Sequence, residues 1–229
     1  MTAEEMQYNF ELKMNTVYSI TKPWQSYDID QFLNRSQDDV VEDRYSPADG
    51  DMRNYFESNE KIRTELAELI TNISITSFNS SDSARHQNGV FADVPDDYLF
   101  ALQEECSVIY IDCNATAAYD YSRVKPITHD EYMMNKNNAY KSPYRELVWR
   151  MDYNSPTGDM KRHELITDGT YTISDYRLRY LRRPARINIV NGVDCELNSS
   201  LHEEIVDRAA RFAASLLPQP ENVEQKSET

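Results

Sequence analysis

A chain of 229 residues with 40% apolar side chains and 16 tyrosines is long enough to bury a core, and its composition is that of a folded protein. Its 39 Asp and Glu against 24 Lys and Arg give a formal net charge of -15, which argues against general affinity for nucleic acid or for anionic membranes. No apolar run approaches the roughly 20 residues of a membrane-spanning helix, and MTAEEMQYNF lacks the pattern of a secretory signal, so folding in a reducing cytoplasm is expected.

The N-terminal third reads as helical. Ala3, Met6, Phe10, Met14 and Val17 recur at helical spacing, and Pro23 ends the pattern. Ser26 or Asp28 can cap a second helix through Tyr45, with Ile29, Phe32, Leu33, Ser36 and Val40 on one face. After the turn SPADGD, a third helix is expected from about Asp51 to Ile70, interrupted by Asn59. Three amphipathic helices must pack on one another to hide their faces.

From Ile73 the period changes. ISITSF alternates, the polar NSSDSARHQNG reads as an exposed loop of unassigned role (79–89), and VPDDYLFALQEECSVIYIDC is ambiguous between helix and strand. YSRVKPI, SPYRELVWRM, MKRHELITD, YTISDYRLRYL and ARINIV are mostly β-rich runs between turn residues, which points to an antiparallel sheet or a small barrel. Four of the five glycines follow Asn or Asp, as tight turns require, and Gly158 sits in the turn SPTGD, so none is left for a phosphate-cradling loop. Near the C-terminus, Ser200 and Glu203 have capping-box spacing, and Leu201, Ile205, Ala209, Phe212 and Leu216 continue a helical stripe that Pro218 stops. The expected fold class is α+β. Residues 1–79 form helices, 80–198 a β-rich antiparallel region with loops, 199–217 a C-terminal helix packing on the first helices as one bundle, and 218–229 a flexible tail.

Signatures of chemistry are scarce. None of the four histidines lies in an HExxH or HxH pattern, and His202-Glu203-Glu204 lacks a second histidine, so no metal site is expected. In THDE, Thr128 and Glu131 have capping-box spacing, which accounts for His129-Asp130-Glu131 without acid–base catalysis. Cys106, Cys113 and Cys195 form no CxxC pair and read as buried structural thiols. No catalytic residue, cofactor motif or nucleophile elbow is evident.

One segment stands apart. YRLRYLRRPARI carries Arg177, Arg179, Arg182, Arg183 and Arg186 and no acid, so it holds +5 while the other residues hold -20. As a strand it directs Tyr176, Leu178 and Tyr180 to one face and Arg177 and Arg179 to the other, with Pro184 ending the ladder or marking an edge. Three readings compete: a solvated face with local ion pairs, contact with an acidic surface on a neighbouring subunit, or direct phosphate contact.

The order of motifs resembles the ring proteins of the head–tail connector of crAss-like bacteriophages and, more distantly, the adaptor (tail tubular A) proteins of short-tailed phages. The resemblance is carried by MTAEEM, DIDQFLNRSQDDVVEDRY, VPDDYL, VKPITHDEY, SPYRELVWRM, YRLRYLRRPARI and CELNSSLHEEIVDRAARFAA, which together span most of the chain. It implies a non-enzymatic virion protein made in the host bacterial cytoplasm. Such proteins form homo-oligomeric rings, commonly dodecamers, that bridge the portal protein and adjacent ring or tail proteins. DNA passes through the channel without sequence-specific binding, and no membrane is involved. The five arginines are then the candidate subunit-interface residues, with the acidic region Met1 to Asn79 (15 acids, seven bases) as one source of counter-charge. The rival expectations are a phage hydrolase using some of the carboxylates, or a DNA-binding accessory protein.

Overall fold

A computed structural model describes residues 1–18, 23–46, 56, 58–81, 85–111, 113, 116–154 and 161–217. The expected Asp49-Gly50 turn, the start of the third helix (51–55), the turn at Gly158 and the tail 218–229 lie outside the described residues. The chain divides into two compact units, Met1–Leu69 with Pro184–Thr229, and Ile70–Arg183.

The first unit holds α1 (Ala3–Thr16), α2 (Ser26–Tyr45), α3 (Glu60–Glu65) and, as numbered below, α5 (His202–Ser215). Thr2 caps α1 in a reciprocal box with Glu5, and Ala3, Met6, Phe10 and Met14 are buried as their spacing requires. Helix α5 packs on both α1 and α2. Its small residues Ala209, Ala210 and Ala213 are buried and allow close approach. Phe10, Trp24, Phe32 and Phe212 build an aromatic cluster, with Phe32 stacked on Phe10 at 6.1 Å and edge-on to Phe212 at 5.8 Å. Around it, Arg44 joins Glu65 (2.9 Å) and Glu204 (2.6 Å), Arg208 joins Glu204 (2.8 Å) and Asp43, and Lys13 joins Asp207.

Two helix expectations are corrected here. Among the described residues the third helix runs Glu60–Glu65, with Asn59 accepting a hydrogen bond from the Lys61 N–H, and it ends there rather than at Ile70, a 3-10 turn over Ala67–Leu69 following it. The first strand starts at Ile70 rather than Ile73. Ser200 does not cap α5: a 3-10 turn over Ser199–Leu201 precedes the helix, and Asn198 caps that turn instead.

ARINIV is not a strand, and its last two residues, Ile189 and Val190, already lie in a turn. Its backbone is bonded by side chains of α2 at positions i, i+4 and i+7, which share one helix face. Asp30 accepts from the Ile189 N–H (3.0 Å), Asn34 both accepts from and donates to Ile187 (2.8 and 2.9 Å), and Gln37 donates to the Ala185 carbonyl (2.9 Å). The bonded residues alternate, as a strand's would, so a helix face takes the place of a neighbouring strand. Each buried backbone group orphaned by losing such a partner costs about 1–3 kcal/mol.

The second unit is a seven-stranded sheet in the order β1-β7-β3-β4-β5-β6-β2. The strands are β1 (Ile70–Ile75), β2 (Gly89–Asp93), β3 (Tyr98–Ile111), β4 (Ala117–Pro126), β5 (Leu147–Asn154), β6 (Lys161–Ile166) and β7 (Tyr171–Arg182), with α4 (His129–Asn135) between β4 and β5. The ambiguous run therefore resolves as the long strand β3. Three register irregularities along β3 and β7 bend that pair. The sheet curls until Asn79, just beyond β1, exchanges both backbone hydrogen bonds with Phe91 of β2 at 2.9 Å. Ile75, Ala92, Val108, Val148, Leu165 and Leu178, from six strands, consequently meet in one core.

The expectation of a purely antiparallel region is corrected: β4 and β5 pair in parallel, from Arg123↔Leu147 to Pro126↔Arg150. Parallel neighbours need a crossover, and residues 127–146 with α4 supply it. Thr128 and Glu131 do form the expected capping box on α4. Tyr132 of α4 packs on Trp149, Met151 and Ile166 on the outside of the sheet. Strand β5 is thus covered on both faces, with Val148 and Arg150 inward and Trp149 and Met151 outward.

Candidate functional site

The outer face of β1, β7, β3 and β4 displays a lattice set by register. One row runs Ser74, Arg177, Glu105, Arg123; the next runs Asn72, Arg179, Gln103. Towards the other end of the same face come Ser107 opposite Tyr121 and Ile109 opposite Tyr119. A groove of about 400 Å³ follows β1, β7 and β3, lined by Asn72, Ser74, Gln103, Glu105, Arg177 and Arg179 among others. The face therefore carries cations at one end and aromatic and aliphatic groups at the other.

Alternation along β7 is as its sequence requires: Tyr176, Leu178 and Tyr180 are buried while Arg177 and Arg179 are exposed. Arg177 Nε donates to Asp175 (3.0 Å), Nη1 lies 3.8 Å from Glu105, and the guanidinium sits 5.4 Å from the Tyr121 ring centre. Hydrogen bonding to Asp175 and then to Tyr121 raises its pKa further. Arg179 Nε donates to Asn72 at 2.8 Å. Arg182 is half-buried and Arg183 exposed at the end of β7, where the Arg183 N–H bonds the Asp97 carbonyl (2.6 Å). Arg186 lies in the other unit and pairs with Asp38 at 2.8 Å. Arg177 and Arg179 share the sheet face, and Arg177 and Arg186 have carboxylates of their own chain as partners.

Sequence reasoning passed over the aromatic end of this face. Tyr119, Tyr121, Arg123 and Lys125 alternate outward along β4, and the period-two pattern AAYDYSRVKP was the available signal.

The curled sheet also encloses a polar network that the sequence reading missed. Tyr176 donates its hydroxyl proton to Glu104 (2.7 Å) and accepts from His163 Nδ1–H (2.8 Å), which leaves His163 Nε2 to accept from Arg150 Nη1 (3.1 Å). Arg150 also reaches Tyr98 (3.2 Å), Glu104 (3.3 Å) and Asp152 (3.2 Å). Burial raises the Glu104 pKa, with Arg150 and the Tyr176 hydroxyl opposing. Burial, aided by the charges of Arg150 and Lys161, drops His163 to about 3. Arg150 is pulled down by burial, but Glu104 and Asp152 more than compensate and its pKa is raised. A carboxylate, an imidazole and a guanidinium together resemble a catalytic set, yet Arg150, His163 and Tyr176 are buried and bonded to one another, and the groove on the outer face is lined by none of them.

His202, His86, Cys106 and Cys195 are structural in setting. His202 is buried between the N-terminal amine (2.7 Å) and the Leu197 carbonyl (2.7 Å). His86 in the polar loop is held by the buried Glu164 through its backbone N–H and its Nδ1 (2.8 Å), and its ring packs on Tyr132. Burial raises the Cys106 thiol and pushes Cys195 up to about 11. Cys113, expected to be buried, is exposed just beyond the end of β3. No group of His, Cys, Asp and Glu among the described residues is arranged to hold a metal ion. Among those residues no helix is long and apolar enough to cross a membrane.

Comparison with known proteins bears on the whole chain rather than on one cluster. A family model described as phage tail ring protein 3/4 matches residues 1–219. The chain is 26% identical over 230 residues to "Ring protein 4/5" of Bacteroides phage crAss001, covering 93% of this chain and 92% of that protein. It is 27% identical over 229 residues to "Ring protein 3" of the same phage, covering 93% and 95%. Both units fall within these matches, and the chain belongs to the phage tail ring protein 3/4 family of crAss-like phages.

Proposed function

We propose that this protein is a non-enzymatic subunit of a closed ring in the head–tail connector, one that bridges portal and tail components and surrounds the DNA channel. The observation that carries the reading is the end-to-end similarity to two proteins named as rings. Charge distribution supports it. The unit containing the chain termini holds 23 acids and 11 bases, a net of -12, whereas the sheet unit holds 16 and 13, a net of -3, and exposes Arg177 and Arg179. A closed ring needs unlike patches on the two sides of each subunit, and separated charge meets that need. In this reading Arg177, Arg179, Arg182, Arg183 and Arg186 serve contacts between subunits, helices from both chain ends form one bundle, and the number of copies is twelve by analogy with connector rings. The overall charge of -15 suits a channel through which DNA slides without sticking.

The double variant Arg177→Glu, Arg179→Glu tests the interface. Both residues are exposed, so the monomer should stay folded, its thermal unfolding lowered only slightly by the new carboxylate beside Asp175 and Glu105, whereas incorporation of the protein into particles should be lost. Wild-type incorporation of a folded variant would remove these arginines from the interface.

A further inference from the structure

Resting on the ring reading, we infer that the outer face of β3, β4 and β7 on one subunit docks against the outer face of α1 on the next. The sheet face offers two kinds of contact side by side: exposed cations at Arg123, Arg179 and Arg177 (the last partly countered by Asp175 and Glu105), and exposed aromatics at Tyr119 (73% exposed) and Tyr121 (57%). A partner must therefore present carboxylates beside apolar side chains.

Helix α1 does so. Glu4, Tyr8, Glu11, Leu12 and Asn15 fall within one arc of roughly 100° on a helix of 3.6 residues per turn. Tyr8 is 66% and Leu12 44% exposed, with Glu4 exposed on the same arc and Glu11 half-buried there, accepting from the Gln7 amide (2.9 Å) but facing no cation among the described residues. The other helices of that unit fit less well. Asp38 and Asp43 of α2 are engaged by Arg186 and Arg208, and Glu204 and Asp207 of α5 by Arg44 and Lys13. Asp28, Asp39 and Glu42 remain exposed on α2, but Asp28 alone adjoins its exposed large apolar residue, Tyr27, and the other two lie at least about three helical turns away. The two faces lie on different units and are unlike each other, so the contact is heterologous and can propagate around a ring.

A charge-exchange experiment in phage particles tests this contact. Glu4→Arg with Glu11→Arg should cut incorporation at least about tenfold, as should Arg177→Glu with Arg179→Glu, and the four changes together should restore most of it. Tyr8→Ala with Leu12→Ala removes only exposed side chains, so it should weaken incorporation while thermal unfolding stays at the wild-type temperature. Failure of the fourfold variant to recover, or full incorporation of the Tyr8, Leu12 variant, would overturn the pairing of these faces and leave the ring reading intact. A wild-type protein present as one copy per particle would instead overturn the ring reading.

Discussion

Replacing Arg150 by Met is expected to destabilise the sheet unit by about 3–5 kcal/mol, the usual cost of removing one partner from a buried ion pair. Arg150 is 7% exposed and its guanidinium meets Glu104, Asp152, Tyr98 and His163 inside the curled sheet. Without it, Glu104 keeps its Tyr176 hydrogen bond but faces no cation. Adding Glu104→Gln should recover more than half of the loss, because the amide oxygen still accepts from Tyr176 and no charge is left orphaned. The protein has two tryptophans, so Trp149 fluorescence in a Trp24→Phe background follows the sheet unit alone during urea unfolding. Equal stability of wild type and the Arg150 variant would mean that the network is not closed as described.

The second large effect is a pH dependence. His163 titrates near 6.5 when unfolded but about 3 when folded, because it is buried and faces Arg150. A lowered folded pKa means that below pH 6.5 the unfolded chain binds a proton that the native state refuses. Stability contributed by neutral His163 is complete above that pH and falls on acidification, by up to about 1.4 kcal/mol per pH unit, until the folded pKa is reached. Glu104 acts with the opposite sign: its raised pKa lets the native state take up a proton first, which relieves its burial as pH falls. The comparison of wild type with His163→Gln isolates the histidine, since Glu104 is present in both. The variant should lose less stability between pH 6.5 and 4 than the wild type, and identical slopes would contradict the assignment.

Much of the local structure was legible in the sequence because its causes are local. The apolar stripe of α1, the capping box at Thr128 and the alternation of β7 each depend on residues a few positions apart. The parallel pairing of β4 with β5 was not legible, because register between strands separated by a helical crossover is a tertiary property. ARINIV looked like a strand for a sound reason, since its alternate residues are bonded on one side, but the partners are side chains of α2, far away in sequence. Nothing local in ELVWRM or LQEEC marks Arg150 and Glu104 as partners; only the curl of the sheet turns them inward to meet.

The arginine segment shows the same limit. Composition alone makes it one basic run. The fold divides it at Pro184, where β7 has ended and the chain enters the other unit. Arg177 and Arg179 stay on the sheet face, while Arg186 pairs with Asp38 on α2. The partners of Arg177 and Arg186 within the chain account for part of the positive charge without any neighbour. What they leave exposed is a cationic and aromatic face on the sheet and an acidic, partly apolar face on α1.

The most direct measurement is a cryo-electron reconstruction of phage particles that contain this chain. The account predicts a closed ring of identical copies around the DNA path in the connector, with the β3–β4–β7 face of each copy seated on its neighbour. A chain found as a solitary subunit, with a bound substrate in a cleft of its own, would contradict it.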